Sequence, residues 1–278
     1  MGSFVIPMDE LMKKADPMYS QMNDITAATI YAVPDPSIKD LIPPPLELTD
    51  PPLLTIYVSN IKEPTFAESY IEGGIGVLTN LTDSTGVTHT GLYYFNLQLM
   101  GRGAQNATFF VREESGLPKK FADSISLRRI RDNVFFHIER NGVKLVNAKL
   151  TIGRYNDPGF NNGLESLDPA KGLLKEDSVL THRYYAADRG LENMQIYYYN
   201  SPTHYFHYEP AYAKVKLQSS KYDPWGEIKI AKILGGSWAR NNNYVVDVTN
   251  IHTYSDDEAL NVMQYLYAGR FDPLVGRR

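Results

Sequence analysis

The 278-residue sequence contains no cysteine. That absence excludes disulfides, thiolate zinc sites, iron–sulfur ligation and a cysteine nucleophile, so covalent catalysis must use another residue. A cationic surplus is missing too. Twenty-eight Lys and Arg against 32 Asp and Glu leave a formal net charge of -4, which lacks the charge needed to neutralise phosphates, and no nucleic-acid partner is expected. No stretch approaches the ~18 uncharged apolar residues of a membrane helix, so no membrane partner is expected either. The first ten residues lack the basic and apolar segments of a signal peptide, which points to a cytoplasmic protein. Tryptophan is scarce, with 2 against 20 Tyr and 11 Phe. With 20 Gly and 17 Pro, that mixture favours strands and turns over long helices.

The chain length suits one large domain or two small ones, and the patterning favours a single domain over 1–278. Asp35-Pro36 offers an N-cap followed by a first-turn proline, predicting a short helix before the rigid step Pro43-Pro44-Pro45. Strand patterns then occupy 53–58, 74–79, 88–98, 108–111, 124–130, 134–140 and 143–152. Asn141-Gly142 is the dipeptide of a tight type I′ hairpin. Residues 153–176 are rich in turn formers yet carry Tyr and Phe, which predicts an ordered loop packed on the same domain. Strand patterns resume at 194–199, 211–217, 228–234 and 244–248. Asp256-Asp257-Glu258 opens a final helix whose apolar residues 260, 263, 266 and 267 share one face before Gly269. The fold class expected is α+β, a large, strongly curved, mostly antiparallel sheet or barrel with short helices outside.

The segment with most chemical promise is Arg112-Glu113-Glu114-Ser115-Gly116-Leu117-Pro118-Lys119-Lys120. Paired lysines are ordinarily solvated, but here a Gly-x-Pro turn after the 108–111 strand pattern, flanked by apolar residues, can drive one ammonium into an apolar pocket. Desolvation and a like charge both lower a lysine's proton affinity, and the free amine can attack a ketone to form a Schiff base. Arg112 and Glu113 read as a local ion pair supporting that turn. Elsewhere, His204 and His207 would face opposite sides of a strand, leaving only His207 with Glu209, so no metal site is expected. Gly73-Gly74-x-Gly76 lacks the strand-to-helix context of a phosphate loop.

The lysine segment resembles the Gly-Arg-Glu-x-x-Gly-x-Pro-Lys-Lys signature of the acetoacetate decarboxylase family, with Val111 where the first glycine is usual. Leu41-Ile42-Pro43-Pro44-Pro45-Leu46-Glu47 is similar to the family's Pro-x-Pro-Leu-Glu step, and Phe66-Ala67-Glu68-Ser69 to its aromatic-x-Glu-Ser segment. The resemblance is clearest over 25–150. Acetoacetate decarboxylase is itself the standard instance of a lysine activated by a neighbouring cation.

The resemblance implies Lys119 as the Schiff-base nucleophile, Lys120 as the neighbour that perturbs its pKa, and Glu68 as the pocket acid or base. It implies a cone-like barrel with the lysine inside, a homo-oligomer and chemistry without a cofactor. Two departures stand out. Tyr57 occupies the position nearest the family's second glutamate, and the first arginine of this chain is Arg102, so no N-terminal arginine holds a substrate carboxylate. The expected activity is decarboxylation of a β-keto acid. The alternatives are aldol-type or dehydrating use of the same Schiff base on a pyruvate-like or other carbonyl substrate, and a non-catalytic barrel that binds a small molecule.

Overall fold

The computed structural model describes Met8, residues 21–187 and residues 190–272. The signal-peptide reading of the first ten residues therefore lies almost wholly outside the described residues. Among the described residues no helix is long and apolar enough to cross a membrane.

In chain order the strands are β1 (Gln21–Pro34), β2 (Glu47–Leu48), β3 (Leu54–Pro64), β4 (Tyr70–Thr82), β5 (Thr88–Met100), β6 (Lys119–Phe121), β7 (Ser124–Ile130), β8 (Asn133–Arg140), β9 (Val143–Ile152), β10 (Leu173–Lys175), β11 (Ser178–Ala187), β12 (Gly190–Asn200), β13 (Thr203–Leu217), β14 (Ile230–Tyr244) and β15 (Asp247–Thr253). Two α-helices are described in full, α1 (Ala104–Ser115) and α2 (Asp256–Arg270). All the strands join one sheet, in the order β15-β12-β11-β5-β4-β3-β1-β14-β13-β9-β8-β7, with β10, β2 and β6 paired beside this path. The pairs are antiparallel except β5 with β6 and β5 with β11. The expected curved, mostly antiparallel sheet is therefore observed. The expected barrel is not: the path ends on two separate edge strands, β15 and β7, and among the described residues no ladder closes them. Curvature instead lays β7 against β3, β4 and β5.

Alternation explains the main core. Ala28, Ile30 and Ala32 on β1, Leu54, Ile56 and Val58 on β3, and Ile75 and Val77 on β4 share one face and pack with Phe136 and Ile138 of β8. Burying each large aliphatic side chain contributes about 1.5–3 kcal/mol. The opposite face carries a second apolar cluster of Ile25, Ala27, Ile61, Tyr70, Leu97 and Leu99 against Ala104 and Ala107 of α1.

Two turn readings hold. Asp35 caps a 3₁₀ turn over Pro36–Leu41, its side chain accepting from Ser37 N at 3.0 Å. Asn141 and Gly142 both take positive φ (54° and 70°) between β8 and β9, as the hairpin requires. One reading fails: the 108–111 strand is part of α1. Its sequence has strand-like propensity, but burial of Ala104, Ala107 and Thr108 on one side fits a helical repeat. Gly116 then ends the helix in the left-handed region at φ 78°.

Candidate active site

The helix α1 is the crossover of a β5-α1-β6 unit, the connection that two parallel neighbouring strands require. Gly116 fits where a Cβ would come within 2.3 Å of the His182 carbonyl oxygen. Pro118 then offers its carbonyl to Leu97 N at 2.9 Å and to Asn96 Nδ2 at 3.2 Å. Lys119 is thereby set opposite Leu97, Lys120 opposite Gln98 and Phe121 opposite Leu99. The lysines stand on a short strand after a helix, not in a loop after a strand.

Neighbours on a strand face opposite sides, and these two lysines do so. Lys119 is 3% exposed. Its Nζ lies 2.8 Å from Glu72 Oε2 and 5.8 Å from the centroid of the Tyr70 ring. Lys120, 4% exposed, reaches Asp223 Oδ1 at 3.0 Å, the Tyr222 carbonyl at 3.1 Å and Asp272 Oδ1 at 3.3 Å. Arg140 bridges the same two carboxylates, at 2.7 Å to Asp223 and 2.9 Å to Asp272. Two cations thus meet two anions, so the charge of Lys120 is compensated locally rather than directed at Lys119. That geometry gives Lys120 the part of an anchor for β6.

The carboxylate beside Lys119 is Glu72, a residue that the family-motif reading passed over. Glu68 is exposed, on the loop before β4. The available signal was periodicity: Tyr70 and Glu72 are two apart on a strand and so share a face. Two cross-strand rows build the site. Lys119, Leu97, Gly74, Tyr57 and Thr29 form one, and Phe121, Leu99, Glu72, Ser59 and Ala27 the next. Tyr57 leans between the rows and donates its hydroxyl to Glu72 Oε1 at 2.7 Å. Gly74 makes this possible, because a Cβ there would come within 2.8 Å of Tyr57 Cε1 and 2.4 Å of Leu97 Cδ2. A bulge in β5 at the step facing Ile75 and Gly76 brings Tyr94 onto the same face, where its ring centroid lies 6.0 Å from that of Tyr57. Burial, reinforced by the charge of Glu72, holds the hydroxyls of Tyr57, Tyr70 and Tyr94 above the usual phenol range.

Arg112 and Glu113 do form the local ion pair, at 2.7 Å, on the last turn of α1, with the Glu113 side chain 57% exposed. The brace on this turn is the Arg112 carbonyl, which accepts from Gly116 N and from Arg270 of α2. A surface groove of about 380 Å³ runs beside the site, lined by Leu99, Met100, Arg102, Ala104, Phe109 and Phe121. Leu99 and Phe121 belong to the row of Glu72, so the groove borders the site. His207 bonds Glu209 at 2.8 Å. Among the described residues no group of three or more His, Asp and Glu is placed to hold a metal.

The sequence model described as Acetoacetate decarboxylase (ADC) matches residues 7–255. The chain is 31% identical over 249 residues to a "CLA biosynthesis isomerase" of Lactiplantibacillus plantarum, covering 87% of this chain and 85% of that protein. Its fold matches acetoacetate decarboxylase of Legionella pneumophila with a TM-score of 0.70 at 15% identity, covering 91% and 99% of the two chains. It also matches an acetoacetate decarboxylase-like enzyme of Sphingomonas wittichii RW1 (TM-score 0.64, 16% identity, 85% and 93% covered). A third fold match is the enduracididine biosynthesis enzyme MppR, solved with the condensation product of pyruvate and imidazole 4-carboxaldehyde (TM-score 0.62, 10% identity, 86% and 91% covered).

Proposed function

Because the chain belongs to the acetoacetate decarboxylase family, we propose that it is a carbonyl-activating enzyme in which Lys119 forms a Schiff base and Glu72 moves protons at the carbons beside it. The observation that carries this reading is the 2.8 Å contact between Lys119 Nζ and Glu72 Oε2 in a buried apolar setting.

The amine of Lys119 adds to the carbonyl carbon of a ketone, and loss of water gives the iminium. Glu72 takes a proton from the adjacent carbon, and the C–H electron pair forms the new C=C bond as the C=N pair moves onto nitrogen. In an unsaturated ketone the conjugated enamine can be reprotonated at a more distant carbon, which moves the double bond. Hydrolysis then releases the ketone and restores the amine. The net reaction is an isomerisation, the class named for the Lactiplantibacillus relative.

Decarboxylation is the second reading. In a β-keto acid the same iminium would accept the electron pair left by departing carbon dioxide, and Glu72 would protonate the enamine. The matched ADC family model favours it. Tyr57, standing at the position nearest that family's second glutamate, favours the isomerase.

Borohydride reduction in the presence of acetone, 2-butanone, pyruvate or acetoacetate, followed by peptide mapping, is expected to leave an adduct at Lys119 that Lys119→Arg lacks. No adduct with any of these carbonyls would overturn the reading. Carbon dioxide release from acetoacetate, set against double-bond migration in a β,γ-unsaturated ketone, then separates the two reactions.

A further inference from the structure

Resting on this reading of Lys119 and Glu72, we infer that Tyr57, supported by Tyr94, is a positioning residue that reserves one oxygen of Glu72 for proton transfer and so confines that transfer to one face of the substrate. Neither tyrosine need touch the substrate for this.

A carboxylate has two equivalent oxygens, and its terminal torsion is broad and two-fold. Left alone beside an enamine, Glu72 could present either oxygen and meet the substrate plane from more than one direction. Here the two oxygens are distinguished. Oε1 accepts from the Tyr57 hydroxyl at 2.7 Å, while Oε2 lies 2.8 Å from Lys119 Nζ. The Tyr57 ring is in turn packed by that of Tyr94, their centroids 6.0 Å apart. Both phenols are held neutral well past ordinary working pH by burial, so Tyr57 keeps its proton and remains a donor.

The backbone enforces this arrangement. Gly74 gives the Tyr57 ring room to lie across β4, and the β5 bulge turns Tyr94 inward. When Lys119 Nζ becomes the iminium nitrogen, the carbon that loses a proton is two bonds from it, beside Oε2. The C–H bond breaks, its proton passes to Oε2, and the electron pair enters the enamine. The return step reverses each movement through the same oxygen. Proton removal and proton return therefore use one face.

The test uses (3R)- and (3S)-[3-²H]2-butanone with the full chain in ordinary water, following loss of deuterium by mass spectrometry. Wild-type protein is expected to wash out one label faster than the other by about tenfold to a hundredfold, the range set by a hydrogen bond to a charged group. Tyr57→Phe keeps the ring, so it is expected to form the borohydride-trapped adduct while its ratio falls toward one. Tyr94→Leu, which removes the ring packed on Tyr57, is expected to give an intermediate ratio. A purely structural role for Tyr57 would slow both labels equally and keep the ratio. A retained wild-type ratio in Tyr57→Phe, or equal washout by adduct-forming wild-type protein, overturns this inference. Absence of any adduct in wild-type protein overturns the Schiff-base reading itself, and the inference with it.

Discussion

Replacing Glu72 by leucine removes the charge 2.8 Å from the Lys119 ammonium and leaves a cation on a face packed by Leu97, Leu99 and Tyr70. At that distance, with an effective dielectric of about 20, the lost attraction is about 6 kcal/mol, part of which merely offset the cost of burying both charges. Breaking a buried pair from one side leaves a net loss of about 3–5 kcal/mol, or about 6–10 °C in Tm for a chain of this size. Lys119→Met should cost less than Glu72→Leu, since Glu72 would still accept the Tyr57 hydroxyl. The double variant Lys119→Met/Glu72→Leu leaves no charge and should lie within about 1 kcal/mol of wild type. Urea unfolding followed by the fluorescence of buried Trp225, with the slope checked for constancy across variants, measures all three. A loss below about 1 kcal/mol for Glu72→Leu, or a double variant equal to the sum of the singles, would refute the reasoning.

Two further outcomes follow from the two faces of β6 and from one buried histidine. Lys120→Met should lower Tm, because Asp223 loses a buried partner, yet leave the pH dependence of ketone adduct formation unchanged. An upward shift in that profile would instead support action of the Lys120 charge on Lys119. His182 is buried against Tyr254 and Tyr93, and burial pushes its pKa from 6.5 down to about 3. Its folded pKa lies below the unfolded one, so protons favour the unfolded chain. Stability is full above pH 6.5 and falls as pH drops toward 3, by up to about 1.4 kcal/mol per pH unit. His182→Gln should flatten that slope in chemical denaturation at pH 4–7, and an unchanged slope would refute the assignment.

Much of the sheet was legible because its signals are local. The alternation in β3 and the Asn141-Gly142 turn each lie within a few residues, whereas β1 (Gln21–Pro34), in a proline-punctuated stretch, was not read as a strand. The errors arose where distant partners decide. Thr108-Phe109-Phe110-Val111 has strand propensity, and the helix there follows from a crossover between β5 and β6 that no short window shows. In α2 the acidic start was read correctly, and a capping box joins Ser255 and Glu258. Its inward face, however, is Ala259, Val262, Leu266 and Arg270, while Leu260 is 62% exposed. Arg270 looks polar in sequence but lays its guanidinium over Tyr184. The motif pointed to Lys119, which the structure buries beside Glu72. The motif pointed to the exposed Glu68, while the carboxylate that lies beside Lys119 is Glu72, whose i, i+2 spacing from Tyr70 was present in the sequence. Tyr94 faces the site only through a bulge, which shifts the two-residue period invisibly.

The anchors of β6 come late in the chain. Asn96, whose amide holds Pro118, also donates to the Gly269 carbonyl at 2.7 Å, and Lys120 is held by Asp223 and Asp272. During synthesis at about 5–20 residues per second, roughly 8–30 s separate the emergence of Lys119 from that of its last anchor. A β6 strand made before residue 223 therefore has no carboxylate to meet the Lys120 ammonium. The strand that carries both lysines is thus among the last parts of the sheet to be fastened, although it is made before the middle of the sequence.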